Sequence, residues 1–287
     1  MNDMSYFIQV ITNGLVSSGV YILISLGLAL ALGVLNILNI AHGQLMIFTA
    51  YLTYWAWRLY GVDPIASILF TVPIGFLLGI VLYKGSIERV LTAPHINQLL
   101  LTFGIAIILS SVMELVWTAD VRFVSTSYQA TSLDLGIARI GLLPLFVLFL
   151  SSSVCVLLHT FLTRTKMGKA IRAVSQNPKG ASILGINIKI VHMITFGVSI
   201  SLASLAGVFW LLIGYVNPYV GDLLTLKAFC IVVVAGLGNI FGVVWASILL
   251  GLGESLVKGY LSSGWSDAIF FGIIIVVLIY RSLKEVG

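Results

Sequence analysis

Charge is what this sequence has least of. Of 287 residues, 15 are Lys or Arg and 10 are Asp or Glu, 9% in all, against 60% hydrophobic residues. A soluble domain carries roughly a quarter charged residues, so there are too few here to clothe a water-facing globule, and most of the surface must face lipid. A net charge of +5 spread thinly excludes a nucleic-acid binder, and the apolar excess excludes a disordered chain. Cysteine is scarce as well. Cys155 and Cys230 lie inside apolar runs, which excludes a disulfide scaffold and reads as two small buried thiols. Met1 to Phe7 hold Asp3 and no Lys or Arg, so the positive leader of a cleavable signal peptide is missing. The first apolar stretch is expected to stay in the mature protein.

Catalytic machinery is missing too. Gly168-Lys169 is followed by Ala170, and Thr163 stands where a phosphate-binding loop has its first glycine. This chain is therefore not expected to hydrolyse ATP. His42, His95, His159 and His192 are each isolated from other ligand types, so no metal site is expected. The serines read as helix-packing residues rather than nucleophiles. Not an enzyme, and without a cofactor in this chain, is the resulting expectation. A proton- or ion-coupled carrier would keep ionisable groups near the bilayer midplane. Glu114 and Glu254 instead fall near the outer ends of their apolar stretches, Glu88 in a cytoplasmic loop, and each Asp in an external segment.

What is present is a series of apolar stretches. A helix crosses the hydrocarbon core in about 20 residues, which marks spans near 10–33, 44–60, 64–83, 97–118, 141–163, 191–214, 223–238, 241–257 and 266–281. The second, seventh and eighth are short. The expected fold is all-α, a polytopic transmembrane helical bundle of about eight to nine spans, forming one transmembrane domain over residues 1–287. Cations stay on the cytoplasmic side. Lys84, Arg89, Arg164, Lys166, Lys169, Arg172, Lys179, Lys189, Arg281 and Lys284 fall on one side if the N-terminus is external and the C-terminus cytoplasmic. Lys227 sits just inside a span, where its stem can snorkel outward.

Two segments stand out. From Gly33 to Gln44 the chain places Asn36, Asn39, His42 and Gln44 where one span meets the next, with Gly33 and Gly43 beside them. Two readings are open: broken helix ends lining a cavity, or a tight turn whose polar side chains cap helices. A shorter echo, Asn239-Ile240-Phe241-Gly242, follows Gly236 and Gly238. The second segment, 164–187, opens with a basic helical turn, breaks at Asn177-Pro178, and resumes with Ala181, Ile183, Leu184 and Ile186 apolar. It reads either as a surface helix that docks a partner or as a basic loop held by anionic lipid headgroups.

At these segments the sequence resembles the permease subunits of branched-chain amino acid ABC importers of the LivH type. The features are Gly19-Val20-Tyr21, Leu26-Gly27-Leu28, Gly33 through Asn39-Ile40-Ala41-His42-Gly43, Gly168-Lys169-Ala170-Ile171-Arg172-Ala173, Leu184-Gly185-Ile186-Asn187, Ala203 through Val208, and Gly236 through Gly242. Their order runs along nearly the whole chain. The sequence departs from the pattern at Gln44, where relatives often carry an acid, and at Ser204 and Phe241.

The resemblance implies transport of branched-chain, hydrophobic amino acids across the bacterial cytoplasmic membrane. It also implies partners: two ABC ATPase subunits, a second permease of the LivM type in a heterodimer, and a periplasmic or extracellular substrate-binding protein. Loop 164–187 would couple to the ATPase through Gly168, Lys169, Ala170, Arg172, Ala173, Gly185 and Ile186. Asn36, Asn39, His42 and Gln44 would line the substrate path. Gly33, Gly43, Gly236, Gly238, Asn239 and Gly242 would break or pack helices. Urea and short amides use permeases that look alike and stand as an alternative cargo, with a stand-alone channel or secondary carrier behind them.

Overall fold

A computed structural model describes residues 3–236, 238–261, 263–265, 267–268, 270–272, 275–277 and 279. Among the described residues up to Tyr260, eleven α-helices follow in order: α1 (Asp3–Leu35), α2 (His42–Tyr60), α3 (Ile68–Leu82), α4 (Glu88–Val90), α5 (His95–Trp117), α6 (Leu142–Arg164), α7 (Lys166–Gln176), α8 (Pro178–Ile183), α9 (Ile188–Ile213), α10 (Val220–Ala235) and α11 (Ile240–Tyr260). A π-helical turn, Tyr83–Ile87, joins α3 to α4. The helical expectation holds, with one addition: β1 (Ser132–Asp134) and β2 (Arg139–Gly141) pair antiparallel as a small hairpin between α5 and α6. The hairpin and the α7–α8 segment lie at opposite ends of α6, so we call the two ends of the bundle the hairpin face and the basic face.

Among the described residues, six helices are long and apolar enough to cross a membrane: α1, α3 extended to Val90, α5, α6, α9 and α11. Helix α1 is apolar around its circumference from Ser18 onward and is buried from there almost to its end, as an all-apolar helix should be. It packs against α6, α9, α10 and α11, while α9 also takes α2 and α3. Helices α5 and α6 are outer helices, and Leu100, Phe103, Ile107, Phe149 and Leu157 remain exposed on them. In water such faces would be untenable; against lipid they need no cover. Cys155 and Cys230 are buried free thiols, as their setting in the sequence requires.

Of the three spans expected to be short, the eighth lengthens to the 21 residues of α11, and the second and seventh have a structural explanation. Gly33, near the end of α1, lies opposite Gly238 at the basic face. The chain then runs back through 36–41 without helix, and His42 Nε2 meets the Ile24 carbonyl at 3.0 Å. Ile24 is about 16 Å back along α1 at 1.5 Å per residue. Helix α2 therefore starts deep inside the bundle, and its 19 residues suffice to reach the hairpin face. Helix α10, with 16 residues, starts beside it. The expected span 266–281 lies largely outside the described residues, as do Arg281 and Lys284.

Candidate functional site

The break before α2 gathers the first group of polar residues. Asn36 has a positive φ of 53° and is exposed at the turn out of α1. Asn39, His42 and Gln44 are all buried. Gln44 Nε2 donates to Asp222 Oδ1 at 2.7 Å, and the Gly43 amide donates to Thr225 Oγ1 at 2.8 Å. Thr225 thereby satisfies a first-turn N–H that no helical carbonyl reaches. The two helix starts touch backbone to backbone: a Cβ on Gly43 would overlap the Gly221 carbonyl. Asn39 Nδ2, His42 Nδ1 and Gln44 Oε1 are buried with no hydrogen-bond partner. Exposure separates the four polar residues expected to line a path. Only Asn36 reaches the surface, because close packing of α2 on α1 and α10 seals the other three.

The second group is on the basic face. Helix α7 is capped by Thr165, whose Oγ1 accepts from Gly168 N at 2.9 Å. Helix α8 is capped by Asn177 with Pro178 in its first turn, and α9 by Asn187. These caps divide 164–187 into two short helices leading into a long one. The docking residues expected from sequence separate by exposure. Gly168 is buried against the Phe161 carbonyl, and Ala170, Ala173 and Ile186 are half-buried against the core. Lys169, Arg172 and Gly185 are exposed. Gly185 has φ +80° and open space around it, so it ends α8 in a conformation that suits glycine. The outermost side chains are Ile183 and Leu184, 86% and 80% exposed. A 350 Å³ cavity between α6, α7 and the start of α11 is lined by His159, Arg172, Ser175, Gly238, Asn239 and Phe241 among others. Arg172 thus comes to the same place as Gly238 and Asn239. Asn239 caps α11 through Gly242 N at 2.9 Å, and Gly236 carries φ +88° at the end of α10. The echo of the first segment is therefore local: α11 starts at the basic face, whereas α2 starts inside the bundle.

The third group is charged and buried: Lys227 does not snorkel, and Glu254, near the end of α11 as expected, is turned into the bundle. Both are 5% exposed, and Lys227 Nζ lies 2.9 Å from Glu254 Oε1. Tyr21 Oη donates to Glu254 Oε2 at 2.5 Å, Lys258 Nζ reaches Glu254 Oε1 at 2.7 Å, and Asp267 holds Lys227 at 2.8 Å. Tyr21, Lys227 and Glu254 lie about 12 to 21 Å in from the basic-face ends of their helices. Two cations and two carboxylates cancel there, which is how buried charge is tolerated. A 390 Å³ cavity opens beside Glu254 and Lys258. Among the described residues no group of three His, Cys, Asp or Glu side chains has metal-binding proximity.

The sequence comparisons place this geometry. The family model for the permease component of branched-chain amino acid transport systems matches residues 10–278. The chain belongs to this family. The branched-chain permease family is one of transport components, not catalytic enzymes, and its membrane helices fit the multi-pass structure. Among relatives, the high-affinity branched-chain amino acid permease LivH of Salmonella typhimurium is 30% identical over 98% of this chain and 96% of its own. LivH of Escherichia coli K12 matches with the same identity and shares. BraD of Pseudomonas aeruginosa is 26% identical over all of this chain and 98% of its own. The autoinducer 2 import permease LsrC of Shigella flexneri is 26% identical over 97% of this chain and 81% of its own. No solved structure matches the chain.

Sequence reasoning missed Tyr21, Thr225, Lys227, Glu254 and Lys258 in this permease. One signal was visible. Lys227 stands alone in the run from Leu224 to Val234, and a lysine in a membrane helix calls for a buried acid.

Proposed function

We propose that this chain is the membrane-spanning permease subunit of an ATP-driven importer that moves branched-chain, hydrophobic amino acids across the bacterial cytoplasmic membrane. Its partners are two separate ATPase subunits, a second and related permease, and an extracellular or periplasmic substrate-binding protein. The observation that carries the reading is the family match over residues 10–278, together with an uncovered apolar tip, Ile183 and Leu184, on the basic face. In this arrangement the basic face is cytoplasmic, which agrees with the cations of α7 and α8, and the N-terminus is external. Including α2, α10 and the segment after Tyr260, the crossings number eight to nine, and the whole chain is one transmembrane domain.

Helices α7 and α8 join α6 to α9 through the caps Thr165, Asn177 and Asn187. A push on Ile183 and Leu184 from a closing ATPase pair is passed to both long helices, and the bundle rocks between outward and inward access. The start of α2 is where the path turns polar: Asn39, His42 and Gln44 keep unused hydrogen-bonding atoms that an opening would offer to cargo. The relative LsrC is an autoinducer 2 import permease, but it is more distant from this chain than the LivH proteins.

The test is reconstitution with the ATPases, second permease and binding protein of the same transporter. Leucine uptake that requires ATP and binding protein is expected. Leu184→Asp should abolish co-purification of the ATPases while the chain still inserts, and Gly185→Trp should uncouple ATP hydrolysis from uptake. Uptake by this chain alone, without ATP, would establish a channel or carrier instead. Uptake blocked by urea or acetamide but not by leucine would establish the amide reading.

A further inference from the structure

The charged cavity on the hairpin side, about 390 Å³, lies away from α7 and α8 and is lined by a buried carboxylate, Glu254. It lies between α1, α9 and α11, and its 390 Å³ falls in the range of about 300–1,000 Å³ typical of small-molecule sites. Its lining combines Tyr21, Glu254 and Lys258 with the apolar Val10, Val20 and Ile213. We propose that this cavity binds a free zwitterionic α-amino acid, with the ligand ammonium on Glu254, its carboxylate on Lys258 and its side chain against Val10, Val20 and Ile213. The proposal rests on the transport reading above and locates the cargo within it.

The charge arithmetic supports it. Glu254 Oε1 takes two cations, Lys227 at 2.9 Å and Lys258 at 2.7 Å, while Oε2 accepts the Tyr21 hydroxyl. Lys227 has a second anion, Asp267, at 2.8 Å. Lys227 therefore stays neutralised if Glu254 turns to another cation. Lys258 differs: it is half-exposed, and Glu254 is its one ion-pair partner among the described residues. The Lys258–Glu254 pair can open to admit a zwitterion, which replaces one ion pair by two and leaves the net charge of the site unchanged. A ligand with only an ammonium or only a carboxylate would leave one buried or half-buried charge uncompensated. Urea and amides carry neither charge and gain nothing here. A phosphatidylethanolamine headgroup offers the same ammonium and anion, so the lipid must be chosen to separate the two sources.

The experiment uses the full chain in discs of phosphatidylcholine and phosphatidylglycerol, which lack primary amines, with radiolabelled leucine as probe. Saturable binding is expected, weakened at least tenfold in Glu254→Gln and in Lys258→Met. Leucinamide and 4-methylpentanoate, each with one of the two charges, should fail to compete where unlabelled leucine does. Glu254→Gln leaves Lys227 with less compensation and risks misfolding, so Lys258→Met, at the half-exposed wall, is the deciding variant. Unchanged leucine affinity in folded Lys258→Met overturns the site, as does absence of binding to the wild-type chain. Loss of leucine binding when phosphatidylethanolamine is added assigns the cavity to lipid and overturns it as well. ATP-dependent leucine uptake by the complete transporter is measured in parallel. Uptake without binding at this cavity defeats the site alone, whereas a wild-type transporter that takes up no leucine defeats the transport reading.

Discussion

At the residue scale, the most consequential side chain is Lys227. A buried ion pair need not add net stability, but removing one partner leaves the other charged and dehydrated. Lys227→Met strands Asp267 and leaves Glu254 to Lys258 and Tyr21. A loss of about 3–5 kcal/mol is expected, read as a fall in thermal midpoint of the detergent-solubilised chain. The double variant Lys227→Met with Asp267→Leu should recover part of that loss, since the stranded carboxylate is removed while Glu254 keeps Lys258. Thr225 acts on a smaller scale. Thr225→Val keeps the shape but leaves the Gly43 amide without its acceptor, at a cost of about 1–3 kcal/mol. Gly43→Val should be worse than Thr225→Val in the same melting assay, because its side chain collides with the Gly221 backbone.

At the scale of elements, helices α7 and α8 are bounded by caps and anchored by Ile171, Val174 and Ala181 in the core. Thr165→Ala removes the acceptor for Gly168 N and should cost about 1 kcal/mol. Faster amide exchange confined to α7 would show it, with α9 unaffected. The hairpin on the opposite face has an electrostatic tie of its own. The Gly136 amide, and then Arg139, hold the Asp134 carboxyl below its usual range. A carboxylate with a lowered folded pKa stabilises above its unfolded value, near 4, and that contribution disappears as pH falls through the folded value. Amide protection at Leu135 and Gly136 should thus be constant near neutral pH and decline on acidification below about pH 4. In Arg139→Ala the decline should begin at higher pH.

For the whole molecule, much was legible from residue order because lipid imposes simple demands. Six long apolar stretches had to be helices, since backbone polar groups in hydrocarbon must be satisfied within the segment. Thr165, Asn177 and Asn187 are capping residues by type and position, so the division of 164–187 was also readable. The start of α2 was only half readable. Asn36 to Gln44 announced a break, but where it lay along the bundle depended on the chain returning beside α1 to Ile24, a contact between residues 18 positions apart. The buried ion cluster was not readable at all. Lys227, Glu254 and Tyr21 come from three helices, and residue 21 is 233 positions from residue 254.

The sequence by itself determined that this protein lives in lipid, that it is helical, which face is basic, and which transport family it belongs to. Each follows from local quantities: the scarcity of charge, the length of apolar runs, the order of short motifs. Tertiary structure alone decided that α2 begins inside the bundle, that Ile183 and Leu184 stand outermost on α8, and that a lysine and a glutamate neutralise each other beside a cavity. The physical reason is that burial and charge compensation are properties of pairs, and the members of these pairs are brought together only when α1, α10 and α11 pack.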